Sequence, residues 1–233
     1  ARMAYKAFAF LRRDFQTQAS YRLDFLMRVT GLLISASIFY FISRMLGEAV
    51  NPYLTRYGAD YFHFALLGIA FYPFIHMSTD SLANVVHEAQ YTGTLEVLFL
   101  SPTPVFTSLM LSLLWPYCWT LAESLFYLLT ASLLFQAQLD WANAGAAAIV
   151  IVLSVLANLG LGFINAGFVL VTKRASPLAR FLGLVTNLLA GVYYPVEVLP
   201  AWLRTFSHLL PATYAFDGLR RTMLQSATLP EVS

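Results

Sequence analysis

Three features of the sequence predict an all-α fold, a polytopic bundle of helices in a membrane. Hydrophobic residues make up 59% of the 233 residues and charged residues 11%, whereas a soluble domain carries about 25% charged residues to solvate its surface. Mean hydropathy is +0.66. The charges also punctuate the chain, leaving uncharged runs long enough to cross a bilayer core of about 30 Å, where a segment of this kind satisfies its backbone as a helix. These features exclude disorder and an ordinary soluble enzyme. The net charge of +2 is too small to suggest a nucleic-acid partner.

Five spans follow in order. Val29 to Ser43 is uncharged and, with Phe25, Leu26 and Met27 ahead of it, forms the first. Asp60 and Asp80 bracket the second, Tyr61 to Thr79. The third, Val105 to Phe135, is too long for one perpendicular crossing and is expected to tilt or to extend beyond the membrane. Ala144 to Thr172 contains no charge, and Leu178 to Val196 is broken only by Arg180. With the N-terminus placed in the cytoplasm, Arg2, Lys6, Arg12, Arg13, Arg22, Arg28, Lys173, Arg174 and Arg180 lie inside, and Arg44, Arg56, Arg204, Arg220 and Arg221 lie outside. Nine basic residues against five favour this orientation.

Three segments do not span. Ala4 to Asp24 mixes Phe8, Phe10, Leu11 and Phe15 with Arg12, Arg13 and Asp14, and reads as an amphipathic helix on the inner membrane surface, or as a soluble docking helix. The scattered charge and lack of an early apolar run exclude a signal peptide. His87 to Pro104 is cytoplasmic, yet carries Glu88 and Glu96 and no Lys or Arg. An acidic segment gains little from anionic lipid, so a protein partner is expected. Gly93 there permits a sharp turn, Thr94 can cap a following helix, and Leu95, Leu98 and Phe99 give that helix an apolar face. Pro195, Pro200 and Pro211 cut the segment from Pro195 to Arg221 into short helices on or in the outer leaflet.

Catalytic signals are weak. Neither lysine, Lys6 or Lys173, follows a glycine, so the phosphate-binding loop of an ATPase is absent. The histidines His63, His76, His87 and His208 show no i, i+4 pairing for a metal, and no nucleophile elbow occurs. No catalytic or metal-binding residue is assigned. A lone cysteine, Cys118, among Trp115, Tyr117 and Trp119, reads as a small buried apolar residue. Asn158, Gly162, Asn165 and Ala166 share one face of span four, and Gly183, Asn187 and Gly191 are spaced by four on span five. Small residues on a face let helices approach and Asn bonds across, so helix packing is expected ahead of substrate contact. Glu123, the carboxylate inside a predicted span, is read as snorkelling or as a structural pair, with a proton or substrate site as the alternative.

Two stretches resemble the membrane subunit of bacterial ABC transporters of the ABC-2 permease type. The first is His87-Glu88-Ala89-Gln90-Tyr91-Thr92-Gly93-Thr94-Leu95-Glu96-Val97-Leu98 followed by Leu100-Ser101-Pro102-Thr103-Pro104. It is similar to the family's cytoplasmic segment after span two. The second runs Leu189-Ala190-Gly191-Val192-Tyr193-Tyr194-Pro195-Val196-Glu197-Val198-Leu199-Pro200 and continues from Leu209-Leu210-Pro211-Ala212-Thr213-Tyr214 to Arg220. It resembles the family's glycine–aromatic–proline exit from span five and its outer helices.

The resemblance implies a type V exporter-like transmembrane domain over residues 25–221, with residues 1–24 as the interfacial helix. Residues 87–101 become the coupling helix, seated on a cytoplasmic ABC ATPase through Glu88, Gly93, Thr94, Leu95 and Glu96. Residues 195–221 become the outer re-entrant helices, and 222–233 a linker to a sixth span of the native protein. The chain itself needs no cofactor; ATP and Mg belong to the ATPase partner. The implied assembly is a pair of permease copies, a homodimer in the inner membrane, enclosing a path between spans one, two and five. Tyr40, Phe71, Tyr72, Asn187, Tyr193 and Tyr194 are candidate lining residues, with interfacial anchoring as the plainer role for the aromatic ones. Amphipathic drugs, lipids and lipid-linked glycans all suit such a path. The alternatives are an intramembrane enzyme using Glu123 with a histidine, and a passive channel.

Overall fold

A computed structural model describes residues 22–46, 50–58, 60–100, 104–137, 139, 141–173 and 177–224. Residues 1–21 and 225–233 lie outside them, and with these most of the expected interfacial helix and of the terminal linker. Nine α-helices are assigned among the described residues. They are α1 (Arg22–Leu46), α2 (Asn51–Leu54), α3 (Tyr61–Tyr91), α4 (Leu95–Leu100), α5 (Val105–Phe135), α6 (Ala144–Thr172), α7 (Pro177–Leu189), α8 (Ala201–Ser207) and α9 (Pro211–Leu224). Short 3-10 turns at Thr55–Tyr57, Trp141–Asn143 and Val196–Val198 link them.

Helix α3 is the axis of the bundle. It has 31 residues, roughly 46 Å at 1.5 Å per residue. Its buried residues occupy several faces: Phe64, Leu66, Leu67, Phe71, Phe74, Ile75, Ser78 and Leu82 among them. An apolar helix buried on several faces is the centre of a bundle rather than its edge. Helices α5 and α6 bury one stripe each, at spacings of three, four and seven. For α5 these are Leu113, Thr120, Ser124, Tyr127, Leu128 and Ala131; for α6 they are Ala147, Val150, Asn158, Gly162, Asn165 and Val169. The opposite faces expose Leu125, Leu129, Leu133, Val152, Leu156 and Ile164, as lipid-facing surfaces do.

Contacts fix the relative directions. Residues Thr79 and Gln90 of α3 meet Asn165 and Leu170 of α6, so these two helices run parallel. Ala70 and Ser78 meet Ser124 and Tyr117, so α5 runs antiparallel to α3. Tyr72 meets Asn187, and Gly183 lies by His76, so α7 is antiparallel too. Tyr40 near the end of α1 meets Phe62 near the start of α3. The alternation puts α2, Gln136, Trp141–Asn143 and residues 190–211 at one end, and Thr92–Thr94 and Lys173 at the other. Three helices (α3, α5 and α6) are long and apolar enough to cross a membrane, and Thr30–Leu46 and Pro177–Leu189 are shorter apolar helices.

Four expectations change. Span five does not run to Val196: α7 ends at Leu189 after 13 residues, about 20 Å. The acidic segment begins within a helix, because α3 continues through His87 to Tyr91. The last helix continues past Arg221 to Leu224, and Thr222, placed in the linker, is buried. Cys118 is exposed rather than buried, because its neighbours Tyr117 and Thr120 take the inward positions on α5.

The packing face on α6 matches its sequence reading. Asn165 is fully buried and donates Nδ2 to the Thr79 carbonyl at 3.1 Å. A Cβ on Gly162 would overlap the Ser78 carbonyl oxygen. Backbone thus touches backbone where α3 and α6 pass, as small residues permit. Gly162→Val is expected to force these helices apart and cost about 1–3 kcal/mol, read as a lower unfolding midpoint in detergent; an unchanged midpoint would show that the contact carries no stability.

Candidate functional site

The end of the bundle that carries the 190–211 segment is built around a broken helix. Where α7 stops, Gly191 takes a left-handed φ of 75°, open to glycine at no steric cost. The carbonyls beyond the last turn have no helical donor, and in an apolar setting each needs one. Side chains supply them. Ser207, fully buried, donates to the Leu189 carbonyl at 2.6 Å. Tyr194 donates its hydroxyl to Leu188 O. Arg220 donates Nη1 to Gly191 O at 2.7 Å and Nη2 to Val192 O at 2.8 Å.

Arg220 is 2% exposed. Its Nε donates to Phe64 O at 3.2 Å, and its guanidinium lies 3.5 Å above the Phe64 ring centre. Burial lowers its pKa to about 10, against the pull of Tyr57 and Asp217, so it remains charged at neutral pH. Gly68 completes the fit, since a Cβ there would overlap Val192 O. One turn back on α9, Asp217 accepts from Tyr57 Oη at 2.7 Å and pairs with Arg221 at 2.9 Å and Arg56 at 3.4 Å. Arg56 also bonds Glu197 at 3.0 Å. Burial and the Asp217 carboxylate push the Tyr57 phenol well above its ordinary pKa, keeping it a donor.

The Leu210-Pro211-Ala212-Thr213-Tyr214 element closes the α8–α9 turn. Thr213 donates to Ser207 O at 2.7 Å, and Tyr214 donates to His208 O at 2.9 Å.

The six candidate lining residues do not form one surface. Tyr72 and Asn187 meet, with Asn187 Nδ2 donating to Tyr72 Oη at 2.8 Å. Tyr40 packs on Phe62 and Phe135 and accepts from Arg44 at 3.0 Å. Tyr193 stacks on Phe39, with centroids 5.5 Å apart. Phe71 faces elsewhere, into a small apolar pocket between α3, α6 and α9 with Phe74, Val150 and Phe216. Tyr194 stays at the break in α7. Glu123 accepts from Trp119 Nε1 at 2.6 Å one turn back on α5, which matches the structural-pair reading.

The opposite end carries the acidic segment. Gly93 reverses the chain at a φ of 68°. Thr92 N and Thr94 N close the end of α3 on Glu88 O and Ala89 O at 2.9 Å each, and the two threonine hydroxyls share a bond of 2.8 Å. Glu88, Thr92, Gly93, Thr94 and Glu96 are exposed, Leu95 is partly covered, and Tyr91 is 88% exposed. The Leu98 and Phe99 side chains lie outside the described residues.

An acidic reversal after the second long helix and a glycine–aromatic–proline break before two short terminal helices lie within a stretch that matches a family model. The model of the ABC-2 type transporter fits residues 5–224. The chain belongs to the ABC-2 type transporter family. It is a multi-pass helical membrane protein of a transport family rather than an enzyme family. A related protein is the linearmycin resistance permease protein LnrN of Bacillus subtilis (strain 168), 22% identical over 94 residues, which are 40% of this chain and 24% of that permease. The matched region therefore spans less than a third of LnrN's length.

Sequence reasoning missed two groups. Arg220 was counted among the outer membrane-flanking charges but is a buried anchor. His76 and Asp80, 3.4 Å apart, form an i, i+4 pair on α3 that a search for paired carboxylates or paired histidines passes over. Arg220→Leu is expected to leave the Gly191, Val192 and Phe64 carbonyls short of donors at about 1–3 kcal/mol each, abolishing the monodisperse peak in fluorescence-detected size exclusion. Arg56→Ala removes a half-exposed pair and is expected to shift the unfolding midpoint by no more than about 1 kcal/mol.

Proposed function

We propose that this chain is the permease subunit of an ATP-driven exporter in the bacterial inner membrane. Two copies enclose the path, and each docks a cytoplasmic ABC ATPase that holds ATP and Mg. Membrane lipid is the other partner, and nucleic acid has no part. The observation that carries this reading is the exposed acidic reversal at the end of α3. A tyrosine 88% exposed, beside Glu88 and Glu96, caps a helix that runs the depth of the bundle. Its exposed acidic and aromatic surface suits a protein groove better than an anionic headgroup layer. A push at Gly93 acts directly on the helix that packs against every other long element, which is how an ATPase would bias two packings of the path.

The substrate class we favour is an amphipathic drug, ahead of lipids and lipid-linked glycans. The support is the name of LnrN, a resistance permease. No observation favours the intramembrane enzyme, since the Glu123 carboxylate is held by Trp119.

Glu96→Lys is the test of coupling. With the partner ATPase co-expressed, the variant is expected to lose co-elution of the ATPase, and substrate-stimulated hydrolysis is expected to fall at least tenfold. Survival of both transport and stimulated hydrolysis would sink the coupling role.

A further inference from the structure

Between α3 and α7 lies a small, partly open recess lined by Tyr72, Ile75, His76, Thr79, Asp80, Leu182, Gly183 and Thr186. We propose that Asp80, with Tyr72 beside it and His76 as its displaceable counter-ion, binds the protonated amine of an amphipathic substrate and sets the specificity of the path. This rests on the reading of α3 and α7 as path helices.

The charge is the first argument. Asp80 lies in the continuous apolar helix α3, with its side chain 15% exposed. A carboxylate in such a position is costly and is retained for a partner or a function. Its partner on the same helix, His76 Nε2, stands at 3.4 Å, the long end of an ion pair, and the His76 side chain is 46% exposed. The pair is thus a carboxylate with a weak, displaceable counter-ion at the mouth of a recess, not one locked by several donors.

The second argument is the surrounding chemistry. Asn187 spends its amide N–H on Tyr72, and its buried Oδ1 has no hydrogen-bond donor among the described residues. Tyr72 and His76 rings lie 5.6 Å apart on one face. In the recess itself the Asp80 carboxylate, the Tyr72 phenol oxygen and the aromatic face are all acceptors of positive charge, and an ammonium brings three donors to them. A Cβ on Gly183 would stand at ordinary contact distance, 3.7 Å, from the His76 ring, so a larger side chain there would enter the recess. The recess has room for about one water-sized group, such as an ammonium, so the apolar body would lie along the path. Asp80 is about 19 residues from the start of α3, roughly 28 Å down the helix. That is toward the Gly93 end, where an exporter loads.

The test uses the full chain in complex with its ATPase, in zwitterionic phosphatidylcholine nanodiscs. The probes are 1-pyrenemethylamine and 1-pyrenemethanol, which share one fluorescent apolar body. Wild type is expected to bind the amine at least tenfold more tightly than the alcohol. Asp80→Asn is expected to bring that ratio to about one, and His76→Gln to keep or raise it. Equal binding of the two probes by wild type, or an unchanged ratio in Asp80→Asn, would overturn amine recognition. Gly183→Leu separates the two levels. If it weakens both probes, α3 and α7 line the path, whatever the fate of the amine preference. If both probes bind Gly183→Leu as well as wild type, the path reading fails and the proposal with it.

Discussion

The early end of α7 imposes the main constraint on this structure. A helix that stops after 13 residues leaves carbonyls without donors in a setting where water does not supply them. The donors come from far along the chain: Ser207 for Leu189, and Arg220 for Gly191 and Val192. Arg220 meets the need as a lysine would not, because its planar fork serves two neighbouring carbonyls at once while Nε reaches Phe64 O. The position of α9, the closure of the α8–α9 turn by Thr213 and the seat of Val192 against Gly68 all follow from this one anchor.

Helix α3 joins the two ends of the bundle. Near its start it holds Phe64 beneath Arg220, along its middle it touches α5, α6 and α7 through Ser78, Thr79 and Tyr72, and at its far end it carries the acidic reversal. The contact with α6 is backbone to backbone at Gly162, so the two helices are expected to move together. The contact with α7 is a side-chain hydrogen bond beside an open recess. Of the two, the α3–α7 seam has the weaker packing, and it borders the proposed path.

Much of the fold was legible from the sequence because a bilayer admits few solutions. Uncharged runs located α1, α5 and α6 to within a few residues and the start but not the end of α3, and the small-polar face of α6 announced its packing stripe. The prolines at 195, 200 and 211 marked the short terminal helices. Charge and hydropathy did not place the break at Leu189, because Ala190 to Val196 is uncharged like the residues before it from Phe181, and the Gly191-to-Pro195 motif marked an exit only through its resemblance. Cys118 was misplaced for a similar reason: on α5 nearly every side chain is apolar or aromatic, so hydropathy does not mark the buried face.

The candidate site divides along the same line. Composition and charge spacing determined by themselves that the chain is an all-helical membrane protein, and its motifs pointed to the ABC-2 family. They also picked out the acidic reversal, because a local signal of glycine and two carboxylates needs no partner to be read. Tertiary structure alone decided which polar groups meet. Arg220 with Gly191, Tyr72 with Asn187, and Asp217 with Arg56 are pairs separated by 29, 115 and 161 positions. Each is made by how helices cross and where they end. A linear sequence encodes that geometry only through the sum of all its contacts, and in no single residue.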